Sequence, residues 1–501
     1  MFARRPWILH PMLFALYPIA HLYATNLDLV SPSETLFPLA ISLLMAAVTF
    51  LLIRLVVRDG ITAGAVTSAI LILFFSYGHA WKALTRFYLA MWDFPLPRHE
   101  QLLLLWGLLF LLTVLVVAKA RRLGRSVNTY LNVVAAVLVS LPILSTGTYA
   151  IKRAALGTPG AALGDHTRSE LTGTLPDIYY VILDSYARSD ILRESYGHDN
   201  SEFIEHLRDK GFYVADKSRS NYAFTYLSLA SSLNMQYLDS IRDRLGENSK
   251  DRTIPLSMIA ENQVSRTLKA AGYRIVHFSS GYGPTEHNRL ADINYSPEVL
   301  NDFRTMLLET TLLNPLVVPT GEAQLRAATL FTFETIGKIP QIEDPTFVFA
   351  HVIVPHVPFV FDHDCNAAPS TPYALSRPPH AARQYVEQLI CVSTLVEILA
   401  DEILSRSQAP PVIIFQADHG RESIPESEHP TDPFLKERMS IFNAYYLPDN
   451  GARHLYPSIT PVNSFRLIFD LYLGTDLGLL EDRSYFSNFH HPYHFMEVGE
   501  W

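Results

Sequence analysis

Asp184 closes the apolar run Ile178-Tyr179-Tyr180-Val181-Ile182-Leu183, and about 230 residues later Asp418-His419-Gly420 closes a second, Val412-Ile413-Ile414-Phe415-Gln416-Ala417. Two carboxylates and an imidazole are donors of the kind that hold a divalent cation. An Asp after an apolar run is also an ordinary turn or cap residue. The Asp-His pair shifts that balance, because a carboxylate and an imidazole side by side at the end of a buried run cost desolvation energy that a cation readily offsets.

For these residues to meet, the two runs must lie in one sheet. Runs this long and this rich in Val, Ile and Tyr read as strands buried on both faces, as in a parallel sheet covered by helices. Ligands in such sheets bind at the carboxyl ends of the strands, where Asp184, Asp418 and His419 emerge. Further strands are expected at 273–278, 346–352 and 443–447, with helical patterns near 200–210, 225–238, 263–271 and 383–405. The order is βαβα, which predicts an α/β fold with a doubly wound, mostly parallel sheet.

Thr225 stands where a helical pattern begins, in Asn221-Tyr222-Ala223-Phe224-Thr225-Tyr226-Leu227-Ser228. A hydroxyl there is either a helix cap or a nucleophile, whose reactivity a divalent cation would raise beside a helix N-terminus suited to phosphate. Leu183-Asp184-Ser185 after a strand, a Thr opening a Ser- and Ala-rich helix about forty residues on, and the late Asp418-His419-Gly420 together resemble the alkaline phosphatase superfamily. With apolar segments in front, the layout is similar to its sulfatase-like membrane phosphotransferases, the lipoteichoic acid synthases and phosphoethanolamine transferases.

That resemblance implies the following. Thr225 is the nucleophile and a metal ligand with Asp184, Asp418 and His419. His356, in His351-Val352-Ile353-Val354-Pro355-His356-Val357-Pro358-Phe359, contacts substrate phosphate, and His429 is a late substrate or second-metal histidine. Arg188 and Arg219 are either phosphate clamps or ordinary salt-bridge residues. His351 is either a further ligand or a core histidine. The cofactor is one divalent cation, Mn²⁺ or Zn²⁺, with Mg²⁺ also compatible and a second metal left open. The cluster His490-His491-Pro492-Tyr493-His494 has no spacing that suits a ligand pair and is expected to be solvated or packed.

The amino-terminal third is membrane-like. The chain has 501 residues, 49% hydrophobic and 18% charged, and the apolar excess lies in five stretches near 7–24, 36–57, 61–79, 101–119 and 127–148. Each is about as long as the ~20 residues that cross a bilayer. Arg4 and Arg5, Arg54 and Arg58, and Lys119, Arg121, Arg122 and Arg125 all fall on the same side of an alternating five-span path, the cytoplasmic side under the positive-inside rule. The expected organisation is therefore a transmembrane domain over 1–149, a linker over 150–175, and a catalytic domain over 176–501 on the periplasmic or extracellular face of the cytoplasmic membrane. A net charge of −9 argues against a nucleic-acid partner. The two cysteines, Cys365 and Cys391, lie in the exported part, where a disulfide is permitted but not dictated.

The chemistry implied is transfer of a phospholipid head group, of glycerophosphate or phosphoethanolamine type, from a lipid donor to an envelope glycan or lipid through a phosphothreonine. A hydrolase with water as acceptor uses the same residues. A type I sulfatase is disfavoured, since the Cys/Ser-x-Pro-x-Arg stretch is missing from the sequence. A non-catalytic envelope-binding module would not require all of Asp184, Thr225, Asp418 and His419.

Overall fold

The computed structural model describes residues 7–27, 30, 32–90, 99–119, 124–156, 175–297, 302–342, 344–369, 380–421 and 430–499. The chain divides into two compact units, Met1–Gly157 with Leu300–Gly321, and Thr158–Val299 with Glu322–Trp501.

The first unit contains five helices, α1 (His10–Thr25), α2 (Leu36–Val57), α3 (Gly60–Ala90), α4 (His99–Lys119) and α5 (Arg125–Leu156). Among the described residues, three segments are long and apolar enough to cross a membrane: Pro32–Val57, Gly60–Thr85 and Arg125–Ile151. The apolar part of α4, His99–Thr113, is shorter. Leu55 is 74% exposed, Val56 81% and Leu104 71%, exposures that water would penalise and lipid would not. The core of the unit joins Ala15 and Ile19 of α1 to Leu71 and Phe75 of α3.

Phe303 and Leu307 belong to that same core. Spaced four apart on the helix Asp302–Thr310, they share one face of it. Gly78 of α3 permits the close approach, because a Cβ there would lie 1.8 Å from the Glu309 carbonyl oxygen. Lys82 Nζ then meets Glu309 Oε2 at 3.1 Å. Residues 300–321, which follow the first strands in chain order, thus pack with the amino-terminal helices.

The second unit is built on a seven-stranded sheet of order β2-β7-β6-β1-β5-β3-β4. Its strands are β1 (Ile178–Leu183), β2 (Tyr213–Val214), β3 (Arg274–Phe278), β4 (Ile293–Tyr295), β5 (Thr346–Val352), β6 (Val412–Gln416) and β7 (Asn443–Tyr446). The strand β1 pairs in parallel with β5 on one side and β6 on the other, each of the three fully buried as their apolar runs require. The expected strand over 443–447 is present, but antiparallel to β6. The short β2 and β4 were not legible in the sequence. The helix expected over 225–238 ends at Ser232, and Met235 follows with a left-handed backbone, φ 56°.

Cys365 and Cys391 form a disulfide across a sequence separation of 26. It ties the segment after β5 to the helix His380–Arg406 and contributes about 3 kcal/mol in the loop-entropy account.

Candidate functional site

The register of β1, β5 and β6 brings their carboxyl ends level, so Asp184 and Asp418-His419 emerge side by side. Asp184 extends the β1 pairing, its N–H donating to Val352 O at 2.9 Å. Ser185 then turns into the left-handed region at φ 65°, an uncommon conformation for a residue with a side chain. That turn lets Ser185 N–H donate to Asp418 Oδ1 at 3.2 Å and Ser185 Oγ–H donate to Asp184 Oδ1 at 3.0 Å. The end of β6 is pinned by Ser220 and Ser228, whose hydroxyls donate to Asp418 O at 2.6 and 2.7 Å.

His419 is oriented by its neighbour, Nδ1–H donating to Gly420 O at 2.8 Å. Its Nε2 lone pair thus faces the acids, 3.3 Å from Asp418 Oδ2 and 3.8 Å from Asp184 Oδ1. A residue with a side chain could not replace Gly420 in this turn, since a Cβ would sit 2.0 Å from Glu437 O.

Thr225 is the first residue of its helix, and the N-cap position itself is held by Phe224. The Thr225 hydroxyl lies 3.1 Å from His419 Nε2. Thr225 therefore does not occupy the N-cap position.

Among the described residues, Asp184, Asp418 and His419 form a group whose ligand atoms lie within 4.8 Å of one another, all three residues buried. Asp418 Oδ2 has no hydrogen-bond partner there, and neither does His351 Nε2. His351, at the end of β5, takes up Thr285 Oγ1 at Nδ1 (2.9 Å) and turns Nε2 toward Asp184 Oδ2 (3.4 Å). A buried carboxylate oxygen without a donor, Asp418 Oδ2, grouped with Asp184 and His419, fits a divalent cation. Burial opposes ionisation of Asp184, but the histidines His356, His351 and His419 around it hold its carboxyl below the usual carboxylate range. Burial, and after it the Arg438 charge, lowers the pKa of His419 and keeps the ring neutral. An ionised carboxylate and a neutral imidazole are the forms that bind metal.

Of the remaining expected residues, His356 adjoins the cluster, with its backbone N–H donating to Asp184 O at 3.0 Å. His429 lies outside the described residues. Arg188 and Arg219 are each engaged by neighbouring groups. Arg188 forms a two-point ion pair with Asp190 (2.7 and 2.8 Å) and donates to Ser218 O, while Arg219 Nη1 donates to Gly499 O at 2.7 Å. Both are taken up locally because each sits next to backbone carbonyls or acids that satisfy a guanidinium. His490 and His494 are exposed and outside any such donor group among the described residues.

Sequence reasoning missed Ser185, Thr285 and Arg421. Ser185 closes the Leu183-Asp184-Ser185 motif without a role of its own assigned there, and Arg421 directly follows Asp418-His419-Gly420, whereas nothing local marks Thr285, whose hydroxyl reaches His351 across 66 positions.

Residues 176–465 match the family model described as Sulfatase. No curated protein sequence matches the chain. Among solved structures, the chain is similar to the C-terminal periplasmic domain of EcEptC from Escherichia coli, at 13% identity and TM-score 0.44, covering 68% of this chain and 96% of that one. It is also similar to the integral membrane protein lipooligosaccharide phosphoethanolamine transferase A from Neisseria meningitidis, at 12% identity and TM-score 0.43, covering 93% and 96%. The periplasmic domain of phosphoethanolamine transferase EptC from Campylobacter jejuni matches at 14% identity and TM-score 0.40, covering 60% and 90%. The family match spans more than half the chain and takes in both motifs of the site, so this chain belongs to the sulfatase family.

Proposed function

We propose that this protein is a membrane-anchored, metal-dependent phosphotransferase that moves a phospholipid-derived head group onto an envelope glycan or lipid through a phosphothreonine. The observation that carries this reading is the Thr225 hydroxyl, which stands one residue past the N-cap and lies 3.1 Å from His419 Nε2 beside two buried carboxylates. A nucleophile placed against a donor set of that kind is the arrangement covalent phosphoryl transfer needs.

Asp184, Thr225, Asp418 and His419 would hold one divalent cation, Mn²⁺ or Zn²⁺, with His351 Nε2 3.4 Å from the Asp184 carboxylate. When bound, the cation neutralises charge on the phosphate and favours the deprotonated hydroxyl. In the first half-reaction Thr225 Oγ bonds to phosphorus and the ester bond to the donor's diacylglycerol oxygen breaks. The proton lost by Thr225 ends on that oxygen, with His356 as the acid beside it. In the second, an acceptor hydroxyl bonds to phosphorus, the phosphorus–Thr225 bond breaks, and the acceptor's proton returns to the threonine. Water in place of the acceptor would make the same site a phosphodiesterase. The amino-terminal helices hold the site at the bilayer that supplies the donor.

The test is mass spectrometry of the full-length protein in lipid after exposure to phospholipid. The peptide carrying Thr225 is expected to gain the mass of one phosphorylated head group, with diacylglycerol released in equal amount. Diacylglycerol release without any adduct would sink the covalent route. Orientation is checked separately: a reporter fused after residue 160 is expected to behave as exported and one fused within 119–126 as cytoplasmic. The reverse pattern would place the site on the wrong face for an envelope acceptor.

A further inference from the structure

Arg421, directly after Asp-His-Gly, is only 8% exposed, yet no carboxylate pairs with it among the described residues. Its guanidinium is held by ring faces, 4.9 Å from the Tyr196 centroid and 5.2 Å from that of Tyr385. Tyr196 donates its own hydroxyl to Glu437, so that acid is engaged by the phenol. A buried cation in this state retains donors for an anion.

The guanidinium borders a cavity of about 20 Å³ shared with Ser185, His356 and Tyr385. A space of that size has room for a water-sized group such as one oxygen of an oxyanion. Its wall is continuous with the metal cluster, because Ser185 Oγ donates to Asp184 Oδ1 while Ser185 O accepts from Tyr385 at 2.8 Å. An atom in the cavity would therefore sit between a fixed guanidinium and the residue that touches both acids.

We infer that this cavity is a phosphate subsite, in which Arg421, flanked by Ser185 and His356, takes one nonbridging oxygen of the phosphoryl group presented to Thr225. This rests on the reading of the site as one for phosphoryl transfer. The ring stacking fixes the guanidinium plane before substrate arrives, so little of its freedom is lost on binding.

The experiment is titration of the full-length, metal-loaded protein in detergent with inorganic phosphate, followed by calorimetry, with metal content measured alongside. Arg421→Met is expected to raise the dissociation constant for phosphate at least ~10-fold without loss of metal, as the removal of a charge-assisted contact would. Arg421→Lys, which keeps the charge but not the planar fork, covers the case in which the Met variant does not fold, and is expected to weaken phosphate at least ~3-fold. Wild-type affinity in either folded variant, or no saturable phosphate binding by the wild type, overturns the subsite. Arg421-dependent phosphate binding in a protein that turns over no lipid would instead leave the subsite standing and remove the transferase reading.

Discussion

Thr225→Ala is expected to fold, insert and bind metal, and to turn over phospholipid on the order of a thousandfold or more slowly than wild type. The direction follows from where the hydroxyl points. Losing a helix cap costs about 1 kcal/mol, but Thr225 does not occupy the N-cap position, so the melting temperature should scarcely move. Losing the oxygen 3.1 Å from His419 Nε2 removes the only atom at that position able to form an ester with phosphorus. Thr225→Ser retains that oxygen and is expected to keep both turnover and the adduct. Turnover by Thr225→Ala within tenfold of wild type would leave a water as the nucleophile, and the phosphothreonine would have to be abandoned.

The second large effect is expected at Asp418. Its Oδ2 is buried without a hydrogen-bond donor, a state that costs free energy in the absence of a cation. Asp418→Asn should therefore bind the cation far more weakly, beyond the ~10–100-fold typical of losing an outer-shell partner, and lose activity in proportion. Stability should separate the ligand role from a structural one. Cation at a hundredfold excess over its dissociation constant stabilises the folded state by about 2.7 kcal/mol, so wild type is expected to melt several degrees higher on metal addition. The variant, relieved of one of two neighbouring buried charges, is expected to melt no lower than metal-stripped wild type and to gain little from metal. An equal metal-induced rise in both proteins would show that Asp418 is not a ligand, whatever happened to the rate.

How much of this was readable in the chain depends on how local each signal was. The runs ending at Asp184 and Asp418 announced two central parallel strands, because burial on both faces demands uninterrupted apolar residues. The same logic placed β5 at Thr346–Val352. The two-residue β2 and three-residue β4 lie toward the sheet edges, where too few residues are buried to make a pattern. The antiparallel direction of β7 depends on a connection, and composition carries no record of it. At the site, residue types marked the candidate donors, but the approach of Thr225 to His419 is a contact across 194 positions that no local pattern announces. Arg188 and Arg219, open in the sequence between clamp and salt bridge, are engaged by Asp190 and the Ser218 carbonyl and by the Gly499 carbonyl, partners that no sequence pattern marks.

The return of residues 300–321 to the amino-terminal helices means that the chain passes from one unit to the other three times rather than once. Cleavage anywhere in 157–174 would leave the halves still joined through the strand-to-strand connection after β4. A soluble catalytic fragment begun at residue 176 would carry Phe303 and Leu307 stripped of the α1 and α3 side chains that bury them. Such a fragment would need 300–321 excised and the flanking ends bridged before its behaviour in water reflected the sulfatase-type fold and not an orphaned lipid-compatible helix.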